Sequence, residues 1–94
     1  MTTFEEYETT MHAAGFPDVA VRDYPVETTA PEHIHQFAVK GLVVRGEMWL
    51  TVGEQTRHLH VGDSFELAYE QPHAERYGVG GATYWAARRH GQPA

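Results

Sequence analysis

His33 and His35 stand two residues apart, just after a proline, in the run Ala30-Pro31-Glu32-His33-Ile34-His35-Gln36-Phe37. On an extended strand, side chains at i and i+2 leave the same face. The two histidines therefore point one way and Ile34 points the other. A neutral imidazole offers a nitrogen lone pair, and two of them side by side can share one divalent metal. Taken alone, such a pair reads first as a polar couple on a solvated strand face. What lies further along the chain shifts that reading.

A second His-x-His, His58 and His60, alternates with Leu59 and Val61 just before Gly62-Asp63. The apolar partners at 59 and 61 are expected to face the interior, which sends both imidazoles outward, to solvent or a dimer face, and not into a second metal site. His73 opens a later strand. Glu75 and Tyr77 follow it at the spacing that keeps one face. Tyr77 is a candidate for orienting a substrate or a bound water, against the alternative of filling the interior with its hydroxyl bonded locally. Glu75 is a conceivable fourth ligand or general base, although the exposed mouth of a barrel is the favoured place for it.

These side chains need elements to carry them. Residues 2–15 read as a helix, with Thr3 and Glu6 as a capping box and Phe4, Tyr7, Met11 and Ala14 as an apolar stripe. Gly15 and Pro17 end it, and His12 falls beside the stripe as a surface residue. The helix suits a lid or strut on a sheet. From Asp18 the pattern turns to short strands: 19–24, about 36–45, 47–52, 55–61, 64–67, 73–79 and 82–88, with 26–32 loop-like. Gly46 is read as a break, Gly53-Glu54 as a two-residue hairpin turn and Gly80-Gly81 as another turn. Met48, Leu50, Phe65 and Leu67 belong to the core or cavity wall, while Trp49 faces outward and suggests a dimer contact. Closely spaced strands with glycine turns indicate an antiparallel barrel or sandwich.

The chain has 94 residues, a formal net charge of −6, seven histidines and no cysteine. That length makes one domain with a modest core, for which a homodimer is a reasonable expectation. The expected layout is an N-terminal helix over 1–17, a barrel over 18–90 and a disordered tail over 91–94. The acidic balance argues against nucleic acid, whose phosphates need a basic face; Arg88-Arg89-His90 is too short a cluster to supply one. No stretch is apolar enough for a membrane span, and no signal peptide is visible. With no cysteine, the expected location is the cytoplasm, and disulfides and thiolate chemistry are excluded.

The stretch from His33 to Tyr77 resembles the cupin superfamily, in particular its compact single-domain microbial members. His33 and His35 take the histidine positions of the first cupin motif and Gly46 its closing glycine. Its glutamate falls on Val39 and its leading glycine on Glu27. In the second motif Gly62 and His73 fit. Ala68 and Glu70 stand at the proline and glycine positions, and Tyr77 stands at the asparagine. The resemblance covers about Val19 to Arg89. It implies an all-β fold, an antiparallel jelly-roll barrel with a short N-terminal helix. It also implies a metal site from His33, His35 and His73 without the carboxylate lost at Val39. Three imidazoles leave open positions for water, substrate or dioxygen, and zinc, nickel, iron, manganese and copper all accept them. Without the glutamate the site gains one unit of positive charge, which favours an anionic ligand. Three functions stay open: a mononuclear dioxygenase- or isomerase-like metalloenzyme acting on a small anion, a non-catalytic small-molecule-sensing module like the cupin domain of sugar-responsive regulators, and a structural dimer with a vestigial cavity.

Overall fold

A computed structural model of the chain describes residues 2–91. One helix, α1 (Phe4–Ala13), precedes six strands: β1 (Asp18–Tyr24), β2 (Thr28–His33), β3 (Phe37–Val52), β4 (Gln55–His60), β5 (Ser64–Leu67) and β6 (His73–His90). The capping box forms as expected, with Thr3 and Glu6 each accepting the other's backbone N–H. Tyr7 is buried, and its hydroxyl donates to the Lys40 carbonyl at 2.8 Å. Phe4 meets Trp85 edge-on at 5.4 Å. The helix is thus strapped to the outside of the sheet, as a strut. Ala14, at the end of the expected stripe, is exposed.

All strand pairs are antiparallel, and the architecture rests on two long bent strands. β3 and β6 pair along almost their whole length, and each belongs to two layers. The first layer is β1, residues 82–90 of β6, residues 37–46 of β3, and β5. The second is β2, residues 73–77 of β6, residues 47–52 of β3, and β4. Their inner faces meet in one core, with Val39, Val43, Phe65, Leu67 and Tyr84 from the first and Met48, Leu50, Leu59 and Tyr77 from the second. This is the jelly-roll barrel expected from the sequence.

Four expectations change. Gly46 does not end a strand, and Gly80-Gly81 is not a turn between two strands; Gly46 borders, and Gly80-Gly81 lie within, the irregularity where β3 and β6 shift register. Gly46↔Ala82 and Met48↔Tyr77 are paired, so Glu47 alone faces residues 78–81. Gly46 and Gly81 have φ of +70° and +78°. A Cβ on Gly46 would overlap the Gly81 carbonyl, and one on Gly81 the Tyr24 carbonyl. The loop expected over 26–32 is mostly β2. Its Thr28 and Thr29 favour extended backbone, and Pro31 is tolerated because it lies on an edge strand at a register shift between Ala30 and His33. Val61, expected inside, is 50% exposed because β4 ends at His60. The Gly53-Glu54 turn forms as read, closing the Val52↔Gln55 pair with positive φ at Gly53 alone of the two. The tail expected over 91–94 lies, from 92 onward, outside the described residues.

Candidate metal centre

β2 and β6 bring the first and third histidines together directly, for His33 and His73 are cross-strand partners. β2 ends at His33, so His35 sits in the short connection to β3 and not on the same strand. It still turns inward. The ring centroids lie 4.7 Å apart for His33 and His35, 4.3 Å for His33 and His73, and 5.2 Å for His35 and His73. One ligand nitrogen from each of the three lies within 4.8 Å of the others. Ile34 points away and is half exposed.

Backbone carbonyls fix two of the rings. His33 Nδ1 lies 2.7 Å from the Pro31 carbonyl, and His73 Nδ1 lies 2.9 Å from the Gln71 carbonyl. A carbonyl can only accept, so both Nδ1 atoms carry the proton and both Nε2 lone pairs face the cavity. This is the arrangement that prepares an imidazole to ligate metal. The connection 68–72 supplies one of these carbonyls, and its Glu70 N–H donates to the His35 carbonyl at 2.9 Å. A single short loop therefore anchors two of the three histidines. Glu70 itself has φ +55°.

Glu75 is not at the exposed mouth. It is 8% exposed, with Oε1 3.4 Å from His73 Nε2 and Oε2 3.6 Å from His33 Nε2. The alternation along β6 put it on the right face; the depth along the barrel was not readable from sequence. The Glu75 carboxylate raises the His73 imidazole above the ordinary histidine range, against the opposing pull of burial. His35 is shifted the other way, first by burial and then by the two neighbouring imidazoles.

The three histidines open onto a cavity of about 140 Å³. Apolar walls come from Phe37, Val39, Phe65 and Leu67. Val39 faces inward and offers no lone pair. Two arginines, Arg22 and Arg88, also line the cavity. Neither follows from the sequence reading, in which Arg22 carries no role and Arg88 belongs to a basic cluster too short to signify a phosphate-binding face. Arg88 binds Asp18 through Nη2 at 3.3 Å, while its Nε–H is buried without an acceptor among the described residues. Tyr77 does not line this cavity. It is fully buried, stacked at 3.8 Å on Tyr24, and burial pushes its phenol far up. Tyr24 and Tyr84 reach the cavity instead.

The second His-x-His faces outward as expected. His58 and His60 side chains are 40% and 59% exposed, and His58 lies 3.0 Å from Glu47. Trp49 is outward too, yet both its faces are covered, by His58 at 4.3 Å and by the Arg76 guanidinium at 3.8 Å.

The Cupin domain family model matches residues 20–77 of the chain. An uncharacterized HTH-type transcriptional regulator of Haemophilus influenzae is 44% identical over 48 residues, which cover 48% of this chain and 16% of that protein. The aligned part is thus a small fraction of the length of that relative. Among solved structures, the fold is similar to KdgF from Halomonas sp. (TM-score 0.69, 16% identity, 79% of this chain and 68% of that one). It is also similar to the DMSP lyase DddQ from Ruegeria pomeroyi (TM-score 0.71, 22% identity, 81% of this chain and 39% of that one). At such identities the likeness speaks to the fold alone. No helix among the described residues is long and apolar enough to cross a membrane.

Proposed function

The chain belongs to the cupin domain family, and on that premise we propose that His33, His35 and His73 hold a divalent transition metal beside a cavity that takes a small anion, as a metalloenzyme of the oxygenase or isomerase kind. The observation that carries this reading is the convergence of three imidazoles, two of them with Nδ1 committed to carbonyls so that Nε2 is free to ligate. A bound divalent ion would supply Lewis-acid polarisation of the ligand. The chain's own residues do the rest. Arg22 and Arg88 present positive charge on the cavity wall, and a carboxylate is the group a guanidinium recognises best. Phe37, Phe65 and Leu67 exclude water and so strengthen those charge interactions. The cavity volume is below the roughly 300–1,000 Å³ usual for drug-sized ligands, so the ligand is small. Tyr77 packs the core in this reading and handles no proton.

A second reading is a non-catalytic sensing module. The match to part of a transcriptional regulator favours it. In that case the same cavity binds its anion without turnover and passes the signal to a separate partner.

The test is elemental analysis of tag-free protein purified without added metal, alongside His73→Ala. We expect stoichiometric transition metal in the wild type and its loss in the variant. Protein that arrives without metal and takes up none of zinc, nickel, manganese, iron or copper refutes the metal reading. Oxygen uptake with small carboxylates and diketones then separates turnover from sensing.

A further inference from the structure

The outward direction of His58 and His60 argued against metal as long as the two imidazoles stood alone. The sheet gives them a third donor. Glu47 on β3 is the cross-strand partner of His60 on β4, and His58 lies diagonally across from it. All three side chains leave the outer face of the β3–β4 pair, while Met48 and Leu59 fill the core from the inner face. One ligand atom from each of Glu47, His58 and His60 lies within 4.8 Å of the others.

The surroundings hold two of these groups in place. The His58 ring stacks on Trp49 with centroids 4.3 Å apart and planes 5° apart, and the Arg76 guanidinium covers the other face of Trp49 at 3.8 Å. That stack fixes the His58 ring edge-on to Glu47. The Glu47 side chain lies over Gly78, where a Cβ would come within 2.8 Å of Glu47 Cγ. The glycine makes the room that Glu47 occupies opposite the swelling in β6. Glu47 Oε2 stands 3.0 Å from His58 Nε2. This separation suits a hydrogen bond, and it also suits two ligands about 2.0–2.2 Å from one ion at a right angle. His60 adds a donor that an ion pair between Glu47 and His58 does not use; its ring centroid is 4.1 Å from that of His58. The Asp63 carboxylate, 3.7 Å from His60 Nδ1, adds negative charge beside the cluster.

We propose that Glu47, His58 and His60 form a second, solvent-facing zinc site that clips β4 to β3. Two imidazoles and a carboxylate are a donor set that zinc accepts, and three protein ligands leave a coordination position to water. β4 ends the strand order β1-β6-β3-β4, so the ion ties down a strand at the sheet edge. An ion that binds the folded chain in this way raises its stability by mass action. The site lies on the opposite face of the sheet from the cavity histidines and stands independently of the metal reading made for them.

The test titrates zinc into the full-length, tag-free chain by calorimetry and follows the histidine ring signals by NMR and the melting temperature with and without zinc. Glu47→Gln keeps the packing over Gly78 and removes the charge; His60→Gln spares the stack on Trp49 and serves if the first variant does not fold. We expect the rings of His58 and His60 to shift on zinc addition in the wild type. We expect each variant to lose one zinc equivalent or to bind it at least about tenfold more weakly, with a smaller rise in melting temperature. His73→Ala should leave that equivalent in place. Zinc stoichiometry, affinity and thermal response identical to wild type in both outer variants would overturn the proposal and leave the cavity reading standing. Zinc binding abolished by His73→Ala alone would overturn it as well.

Discussion

Glu70 is the one non-glycine among the described residues with positive φ, at +55°. It occupies the position that is glycine in the second cupin motif, and there a Cβ costs about 1–2 kcal/mol of left-handed strain. Its backbone N–H also holds the His35 carbonyl, so the strain is borne next to the candidate centre. Glu70→Gly should raise stability by about 1 kcal/mol, measured by chemical denaturation, with zinc affinity unchanged. The contrast with the histidines shows what a sequence reveals at this scale. His33, His35 and His73 were legible because motif spacing encodes which way a side chain points. Glu75, Arg22 and Arg88 were not, because alternation gives the face and not the depth, and depth decides whether a charge meets solvent or a neighbour. Val61 failed for the related reason that alternation holds only while the strand lasts.

Glycine was the ambiguous signal at the scale of elements. The same positive φ that suits a turn also suits a bulge, and only the pairing partner across the sheet tells them apart. Gly46 and Gly81 therefore read as strand ends, whereas they bend β3 and β6 from one layer into the other. Gly81→Ala combines an unfavourable φ with overlap against the Tyr24 carbonyl. It should cost about 3 kcal/mol, seen as a lowered denaturant midpoint with an unchanged slope. The helix and the Gly53-Glu54 hairpin were readable because their signals are local: a capping box four residues long, and a turn closed by its own neighbours. β2 was hidden by Pro31, which reads as a loop marker until the strand is known to lie at an edge.

For the molecule as a whole, the two ends of the barrel chain are clasped by Asp18. Its carboxylate takes His90 Nε2 at 2.6 Å and Arg88 Nη2 at 3.3 Å, joining the start of β1 to the end of β6. The hydrogen bond from His90, aided by the positive charge of Arg88, holds the Asp18 carboxyl below the ordinary aspartate range. A carboxyl lowered in the folded state contributes stability above its unfolded value, about 4, and loses it as pH falls through the folded value. Asp18→Asn should therefore flatten the acid limb of the stability curve below about pH 4, followed by thermal melts across pH. An acid limb identical to the wild type would remove Asp18 from that account. Because Arg88 also lines the cavity, this clasp sets one wall of the site as well as closing the fold.

The swelling in β6 opposite Glu47 has a use of its own. Val79 is 84% exposed, and a side chain at Gly80 would meet nothing within 4 Å, while the Gly80 carbonyl accepts from Arg45 at 2.9 Å. On either side the ladder is pinned, by Tyr77 to Met48 and by Ala82 to Gly46. Extra residues grafted between Val79 and Gly80 would project into water and leave both registers alone. This interior strand thus offers a built-in attachment point, where a fluorophore or epitope could report on the barrel without capping either of its edges.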